Sequence, residues 1–224
     1  MGEGCGAARV VVLAGPPCSG KGTQSKLLQE KFGSIHISTG DEFRDHVRRN
    51  TEFGRQIQPY IEQGCFVPDA MVIDYIKSRL TEPAIVRSGC VLDGFPRTAD
   101  QATALQAQIS VSRVLVLKAP DKALVARARG RRIDPETGDI YHLELVPPSD
   151  QILPRLIKRK LDDAQSFRVR LDTHREAQAR LLPCFEKAKI TCVNAMQDPD
   201  ELSNELVRIL EADDLVYATR KALP

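Results

Sequence analysis

Five short apolar runs, separated by stretches with helical spacing, constrain the fold of this 224-residue chain more than any other feature. They occupy residues 9–15, 34–38, 89–94, 113–119 and 190–195. Runs of this kind suit parallel strands that are buried on both faces. Between the runs, apolar side chains such as Val72, Ile76 and Leu80 recur at helical intervals. Strands that alternate with helices predict an α/β fold with a parallel sheet.

Two regions break this alternation. Residues 39–67 are polar with helical spacing, and residues 128–165 are rich in Arg, Pro and Asp with several turn signals. We interpret both as insertions into one core domain, which would consist of residues 1–38, 68–127 and 166–224. The net charge of +2 gives no reason to expect nucleic acid as the main partner. The sequence contains no run of 18 apolar residues, so we do not expect a membrane-spanning segment or a membrane partner.

The six cysteines contain no CxxC pair, so a disulfide framework and a zinc site are not expected. Free thiols indicate a reducing compartment. The N-terminal tail has no apolar signal core. We therefore expect a cytoplasmic protein, with an organelle such as the mitochondrion as the alternative.

The stretch GPPCSGKGTQ, residues 15–24, follows the first predicted strand and opens a predicted helix. That is the context of a phosphate-binding P-loop. Its glycines let the backbone turn so that N–H groups point at phosphate oxygens, and Lys21 adds a positive charge. The pattern GxxxxGK[ST] is not met, because Gly22 directly follows the lysine and Thr23 comes one residue later.

Two further stretches, ISTGDEFR (37–44) and LDGFPRTADQ (92–101), offer a second phosphate site. Arg44 and Arg97 can each bind a pair of phosphate oxygens. Asp93 ends a predicted strand, where a carboxylate can hold water on Mg²⁺. Gly94 permits a flat base to approach the backbone. Arg48 and Arg49 we interpret as surface residues.

The GKGT form of the loop and the two stretches, in this order, resemble the adenylate kinases, a family of nucleoside monophosphate kinases. The resemblance covers almost the whole chain. It implies a P-loop NTPase-like core with a five-stranded parallel sheet flanked by helices. It also implies an NMP-binding segment at residues 39–67, a lid of the long form at residues 128–165, and a monomer. The implied reaction is ATP + AMP ⇌ 2 ADP with Mg²⁺.

The resemblance also assigns site residues by position. The implied ATP contacts are Gly15, Pro17, Cys18, Ser19, Gly20, Lys21, Gly22, Thr23, Arg127 and Arg131. The implied AMP contacts are Thr39, Gly40, Arg44, Val67, Gly94, Arg97 and Gln101. Mg²⁺ would be held by Thr23 and, through water, by Asp93. The implied catalytic cations are Lys21, Arg97, Arg131, Arg159 and Arg170.

Two positions depart from the family pattern. The Asp pair after Arg159 lies one residue later than expected, so either Leu161 is an insertion or Lys160 takes the place of the arginine. Cys18 stands where the family often has Gly, and a positive φ there would cost about 1 kcal/mol. A sharper hypothesis places Cys18 at the positive helix terminus with a lowered pKa.

Some features of the activity stay open at this point. Long lids in some relatives hold zinc through four cysteines. This sequence has no cysteine between residues 91 and 183, so no zinc is expected. The long lid together with Thr39 and Gln101 favours AMP as the acceptor. A UMP/CMP kinase and a GTP:AMP phosphotransferase remain as alternatives, and a silent nucleotide-binding protein is a third.

Overall fold

The computed structural model describes residues 9–221, without the side chains of Lys160 and of residues 213–221. The N-terminal tail and the Lys160 side chain, for which expectations are given above, therefore lie outside the described part. Seven strands form: β1 (Val10–Ala14), β2 (Ile35–Ser38), β3 (Cys90–Asp93), β4 (Arg113–Lys118), β5 (Arg131–Ile133), β6 (Ile140–His142) and β7 (Ile190–Asn194).

Nine α-helices accompany the strands in the described residues. They are α1 (Lys21–Phe32), α2 (Thr39–Arg48), α3 (Glu52–Gln63), α4 (Asp69–Leu80), α5 (Pro83–Ser88), α6 (Ala99–Gln108), α7 (Asp121–Gly130), α8 (Ala164–Leu181) and α9 (Pro199–Lys221). None of the helices in this part of the chain is long and apolar enough to cross a membrane.

All five apolar runs form the main sheet, which confirms the predicted α/β fold. Its order is β2-β3-β1-β4-β7 and every neighbouring pair is parallel. The residues of β1 are all buried because helices cover both faces of the sheet. The register places Leu13 and Ser38 opposite Asp93. The carboxyl ends of β1, β2 and β3 therefore meet at one edge, where ligands of such sheets bind.

The first insertion, residues 39–67, contains α2 and α3 and no strand. Its aromatic side chains Phe43 and Phe53 pack with Tyr75 of α4, with ring centroids 5.2 to 5.3 Å apart. Helix α3 approaches α2 closely, since a Cβ at Gly54 would lie 2.2 Å from the carbonyl oxygen of His46. The segment is thus held on the core by a small aromatic cluster that its polar composition did not indicate.

The second insertion, residues 128–165, carries the antiparallel hairpin of β5 and β6. Its centre is Asp134, a fully buried carboxylate that accepts hydrogen bonds from Arg155 Nε at 3.0 Å and Nη2 at 2.6 Å. Arg155 lowers the pKa of Asp134. The Asp134–Arg155 ion pair therefore ties this hairpin to the segment that follows it. Residues 9–221 contain no group of three or more His, Cys, Asp or Glu side chains that could hold a metal.

Helix α8 contains a histidine that should make stability depend on pH. His174 Nε2 lies 2.9 Å from Gln178 Oε1, and burial, together with the positive charge of Lys21, lowers the pKa of His174 from 6.5 to about 4. The folded state then binds fewer protons than the unfolded state, so stability is lost as the pH falls from 6.5 toward 4. We expect this histidine to account for up to about 3 kcal/mol of that loss.

His174→Gln removes the titrating group and keeps a donor for Gln178. Urea unfolding at a series of pH values across this window should show a flatter decline for the variant than for the parent. Parallel declines in the two proteins would contradict the assignment.

Candidate functional site

The loop after β1 has the backbone of an anion cradle. Gly15 has φ +144°, and a Cβ there would lie 2.8 Å from the carbonyl oxygen of Leu117. Gly20, with φ +94°, precedes the first residue of α1 and provides no side-chain cap. The first-turn N–H groups of a helix have no intrahelical acceptor, so here they remain available to an anion. The predicted loop residues Pro17 and Ser19 lie within this turn, with Ser19 buried.

Lys21 is held at the mouth of this cradle. Its Nζ donates hydrogen bonds to the carbonyl oxygens of Gly15 and Pro16, each at 2.9 Å. Burial lowers the pKa of Lys21, and the carboxylate of Asp93 opposes that shift. A phosphate would replace two neutral acceptors with an anionic one, which the ammonium binds more strongly.

Asp93, on the strand next to β1, lies beside the start of α1. A Cβ at Gly22 would lie 3.7 Å from Asp93 Oδ2, an ordinary contact distance. Asp93 is 8% exposed and lies 3.8 Å from His36 Nε2. Thr23 is exposed at the start of α1. A buried carboxylate beside an anion cradle suits Mg²⁺, which takes oxygen ligands and is commonly held by one or two carboxylates and the substrate phosphates.

Cys18 adopts the left-handed backbone that the sequence analysis considered, with φ +64°. The hypothesis of a lowered pKa is wrong. Burial raises the pKa of Cys18, and the positive charges of Arg131, Arg170 and Lys21 act against this rise without reversing it. The thiol is therefore disfavoured as a thiolate, although it lies among cations.

The residues predicted to contact the acceptor base lie together at the ends of β2 and β3. Thr39 Oγ1 donates to the carbonyl oxygen of Gly94 at 2.9 Å. Gln101 is 2% exposed, and its Oε1 accepts from the Arg97 amide at 2.8 Å while its Nε2 donates to Asp69 Oδ1 at 2.7 Å. Val67 is also buried. The amide of Gln101 is thus fixed in one orientation by Asp69, a partner that the sequence analysis did not single out.

The two arginines predicted to hold the acceptor phosphate flank the same place. Arg97 donates from Nε to the carbonyl oxygen of Gly94 at 2.7 Å and lies over the ring of Phe66 at 5.6 Å. Arg97 still reaches solvent, but the crowding of protein atoms around its guanidinium lowers its pKa, and the nearby Arg44 and Arg170 add to this effect. Arg44 forms an ion pair with Asp41, and its guanidinium lies against Gly40. Both cations are oriented by acceptors of the protein itself.

The cations of the second insertion converge on one buried carboxylate. Asp162, fully buried at its side chain, accepts from Arg131 Nε at 2.7 Å and from Arg170 Nη1 at 3.3 Å. It lies in the 3-10 turn Lys160–Asp162 directly before α8. The offset Asp pair therefore has two separate roles, since Asp163 is the N-cap of α8 and accepts from the amides of Gln165 and Ser166.

Arg159 lies in the same cluster; no ion pair within 4.0 Å is found for it in the described part of the chain, although the charge of Asp162 acts on it. Burial lowers the pKa of Arg159, and so does the repulsion from Arg44, Arg131 and Arg170. Arg127, by contrast, donates to the carbonyl oxygens of Cys18 at 3.4 Å and Ala195 at 2.8 Å. It thereby joins the P-loop to the end of β7 and lies beside the predicted ATP site.

Among the residues that the structure describes, six cations face one cleft, and three carboxylates accompany them, two buried and one, Asp41, exposed. The cations are Lys21, Arg44, Arg97, Arg131, Arg159 and Arg170, and the carboxylates are Asp41, Asp93 and Asp162. Like charges at such positions repel one another unless an anion joins them. The arrangement is chemically suited to a ligand that carries several negative charges.

Asp162 and Asp163 allow a matched test of orientation against helix capping. Asp162→Asn removes the charge that orients Arg131 and Arg170, so we expect turnover to fall about 10- to 100-fold. Asp163→Asn makes the same chemical change at an N-cap, where Asn is as good as Asp, and should leave turnover and stability nearly unchanged. Equal turnover of the two variants would show that Asp162 has no orienting role.

Cys18 allows a test of backbone strain. Glycine accepts a positive φ freely, whereas any residue with a Cβ does not. We expect Cys18→Gly to be about 1 kcal/mol more stable to urea than Cys18→Ala, because the two differ only in that Cβ. An alanine variant as stable as the glycine variant would mean that the loop relaxes.

Comparisons with known proteins agree with this geometry. The family model described as adenylate kinase matches residues 13–190. A probable chloroplastic adenylate kinase 2 from rice (Oryza sativa subsp. japonica) is 41% identical over 178 residues, which are 79% of this chain and 61% of the rice protein. The chain therefore spans less than two thirds of that relative.

Two other relatives match over nearly their full length. An adenylate kinase from Methanothrix thermoacetophila is 36% identical over 211 residues, covering 89% of this chain and 97% of that protein. One from Clostridium perfringens is 34% identical over 214 residues, covering 91% and 99%. The chain thus belongs to the adenylate kinase family, whose members are phosphotransferases.

Proposed function

We propose that the protein transfers the terminal phosphoryl group of MgATP reversibly to AMP, giving two ADP. The observation that carries this proposal is the unbalanced positive charge of the cleft between the P-loop, α2 and the β5–β6 hairpin. Among the described residues, six cations lie there with only three carboxylates. Two nucleotides that meet end to end would supply the missing negative charge. Phosphoryl transfer then depends on alignment and charge stabilisation rather than on a covalent intermediate.

The donor side of the reaction uses the P-loop. Its N–H groups and Lys21 would bind the β- and γ-phosphates, with Lys21 released from the carbonyl oxygens of Gly15 and Pro16. Mg²⁺, held by Asp93 through water and by Thr23, would neutralise charge on these phosphates and align them. Arg127 lies beside the loop, where it can contact the donor nucleotide.

The acceptor side needs no strong general base, because the attacking phosphate of AMP is already anionic. Arg44 and Arg97 would aim that phosphate, and Thr39 with Gln101 would contact the adenine. Arg131, Arg159 and Arg170 would stabilise the equatorial oxygens of the transferring group, two of them oriented by Asp162. Closure of residues 128–165 over the cleft would exclude water and so suppress hydrolysis of ATP.

The finer details of the proposal follow the same family. ATP is proposed as the donor, and no observation favours GTP as the donor or UMP and CMP as acceptors. We also propose a cytoplasmic monomer whose partners are ATP and AMP rather than nucleic acid or membrane. The rice relative and a maize relative are described as chloroplastic, which is a property of those proteins.

The experiment combines a substrate series with one variant. The purified protein is mixed with MgATP and, separately, with AMP, CMP, UMP or GMP, and diphosphate formation is followed; GTP then replaces ATP. We expect fast ADP formation with AMP, and a loss of at least about 100-fold in Lys21→Ala, because the lysine stabilises the transferring charge. Lys26→Ala, which changes an exposed lysine of the same helix, should match the parent.

Each other outcome has a definite meaning. Turnover with CMP or UMP but not AMP would contradict the roles given to Thr39 and Gln101. A Lys21→Ala variant with near-normal turnover would contradict the mechanism. ATP binding without any diphosphate formation would contradict the proposed activity and favour a silent nucleotide-binding protein.

A further inference from the structure

Arg48 is exposed, as the sequence predicts, and it also joins the two insertions. It is the last residue of α2, and its Nη1 donates to the carbonyl oxygen of Glu136, in the β5–β6 loop, at 2.7 Å. Its neighbour Arg49 is also exposed, and the side-chain contact described for it is with Asp45 of α2, at 3.4 Å. The two adjacent arginines therefore differ in whether they reach across the cleft.

Both terminal nitrogens of the Arg48 guanidinium donate hydrogen bonds. Nη2 donates to Asp45 Oδ1 at 2.5 Å, while Nη1 reaches Glu136. The hydrogen bond from Arg48 lowers the pKa of Asp45, so the carboxylate stays charged at neutral pH. A planar fork can bind two acceptors at once, which a lysine ammonium on a flexible stem does less well. Asp45 thus aims Arg48 at the other insertion.

The acceptor is equally well placed. The Glu136 amide donates to Asp134 Oδ1 at 3.0 Å, and the Glu136 carboxylate lies 3.1 Å from Arg155 Nη1. Asp134 is the buried centre of the hairpin, so the Glu136 backbone is anchored to it. A Cβ at Gly138, which has φ +83°, would lie 3.7 Å from Arg48 Nη1. The turn at this glycine lets the guanidinium approach the loop closely.

A second contact between the insertions is made by Gly64 and Leu161. The δ-carbons of Leu161 lie so close to Gly64, which ends α3, that a Cβ there would be 3.2 Å from them. The two insertions therefore meet here as well as at Arg48. The clustered arginines of the proposed reaction, among them Arg44 and Arg159, belong to these same two segments.

We propose that Arg48 is a positioning residue that holds residues 128–165 against residues 39–67 in the closed state. The inference rests on the proposed function, because closure matters for turnover only if two nucleotides react in the cleft. Loss of the contact should reduce the fraction of closed molecules, and the apparent affinity for both nucleotides falls with that fraction. Chemistry in the molecules that do close should be unaffected, and release of product should be as fast or faster.

Arg48→Ala and Arg49→Ala form the matched pair for the test. Both remove one arginine that pairs with Asp45, but only the first removes a contact across the cleft. We expect Arg48→Ala to raise the KM for AMP and for ATP about three- to tenfold, with kcat unchanged or higher. Arg49→Ala should stay within about twofold of the parent in both constants, as expected for an exposed ion pair.

Two further variants separate the hydrogen bond from charge. Arg48→Lys should recover part of the KM, because one donor remains but the fork is lost. Glu136→Ala keeps the backbone acceptor and its amide bond to Asp134 and loses only an exposed ion pair with Arg155, so it should stay within about twofold of the parent. The proposal is overturned if Arg48→Ala and Arg49→Ala give the same KM values, or if Arg48→Ala lowers kcat with unchanged KM.

A readout without nucleotide keeps this test independent of the activity. Hydrogen exchange of the Asp134 and Gly138 amides, which donate within the β5–β6 loop, should be faster in Arg48→Ala than in Arg49→Ala. Equal exchange rates would overturn the proposed contact. If the parent shows no phosphoryl transfer at all, the proposed function fails. If the parent is active but Arg48→Ala and Arg49→Ala have the same KM values and exchange rates, only the role of Arg48 is refuted.

Discussion

Repulsion among like charges is the interaction on which the cleft depends. Lys21 and Arg159 each have a pKa lowered by burial and by neighbouring cations, and Arg97, whose side chain reaches solvent, lies among the same cations. A protein can keep such groups charged and close together only on a rigid frame, since each would otherwise turn toward water. The five-stranded sheet and the helices on both its faces supply that frame, and the proposed polyphosphate substrates would reduce the repulsion.

The carboxylates in the cleft orient cations rather than cancel them. Asp162 contacts two arginines at once, and Asp41 contacts one. A single buried carboxylate between two guanidiniums leaves a net positive charge, yet fixes the direction of both N–H forks. Backbone carbonyl oxygens have the same effect on Lys21, Arg97 and Arg127. Because the N–H donors are already oriented, they need little rearrangement when negative charge develops on a bound substrate.

The sequence predicted the sheet well, because each strand is a short apolar run and each connecting helix has a clear spacing. The P-loop, Arg44, Arg97 and Asp93 follow from motifs whose residues lie at strand ends, so the structure brings them together at one edge. Asp69, Asp162 and the reach of Arg48 could not be predicted, because each depends on how separate segments fold back on one another. The raised pKa of Cys18 shows that burial outweighed nearby charge.

The contact between Gly64 and Leu161 has a consequence for how this chain can change over time. Gly64 has φ +72°, which disfavours any other residue, and a Cβ there would also press on Leu161. Leu161 lies in the 3-10 turn Lys160–Asp162, next to the Asp pair. The two positions, 97 residues apart in the chain, are therefore constrained together: a bulkier residue at 64 requires a smaller one at 161. A shorter turn at Leu161 would remove the steric restriction on position 64. The positive φ of that residue would still favour glycine.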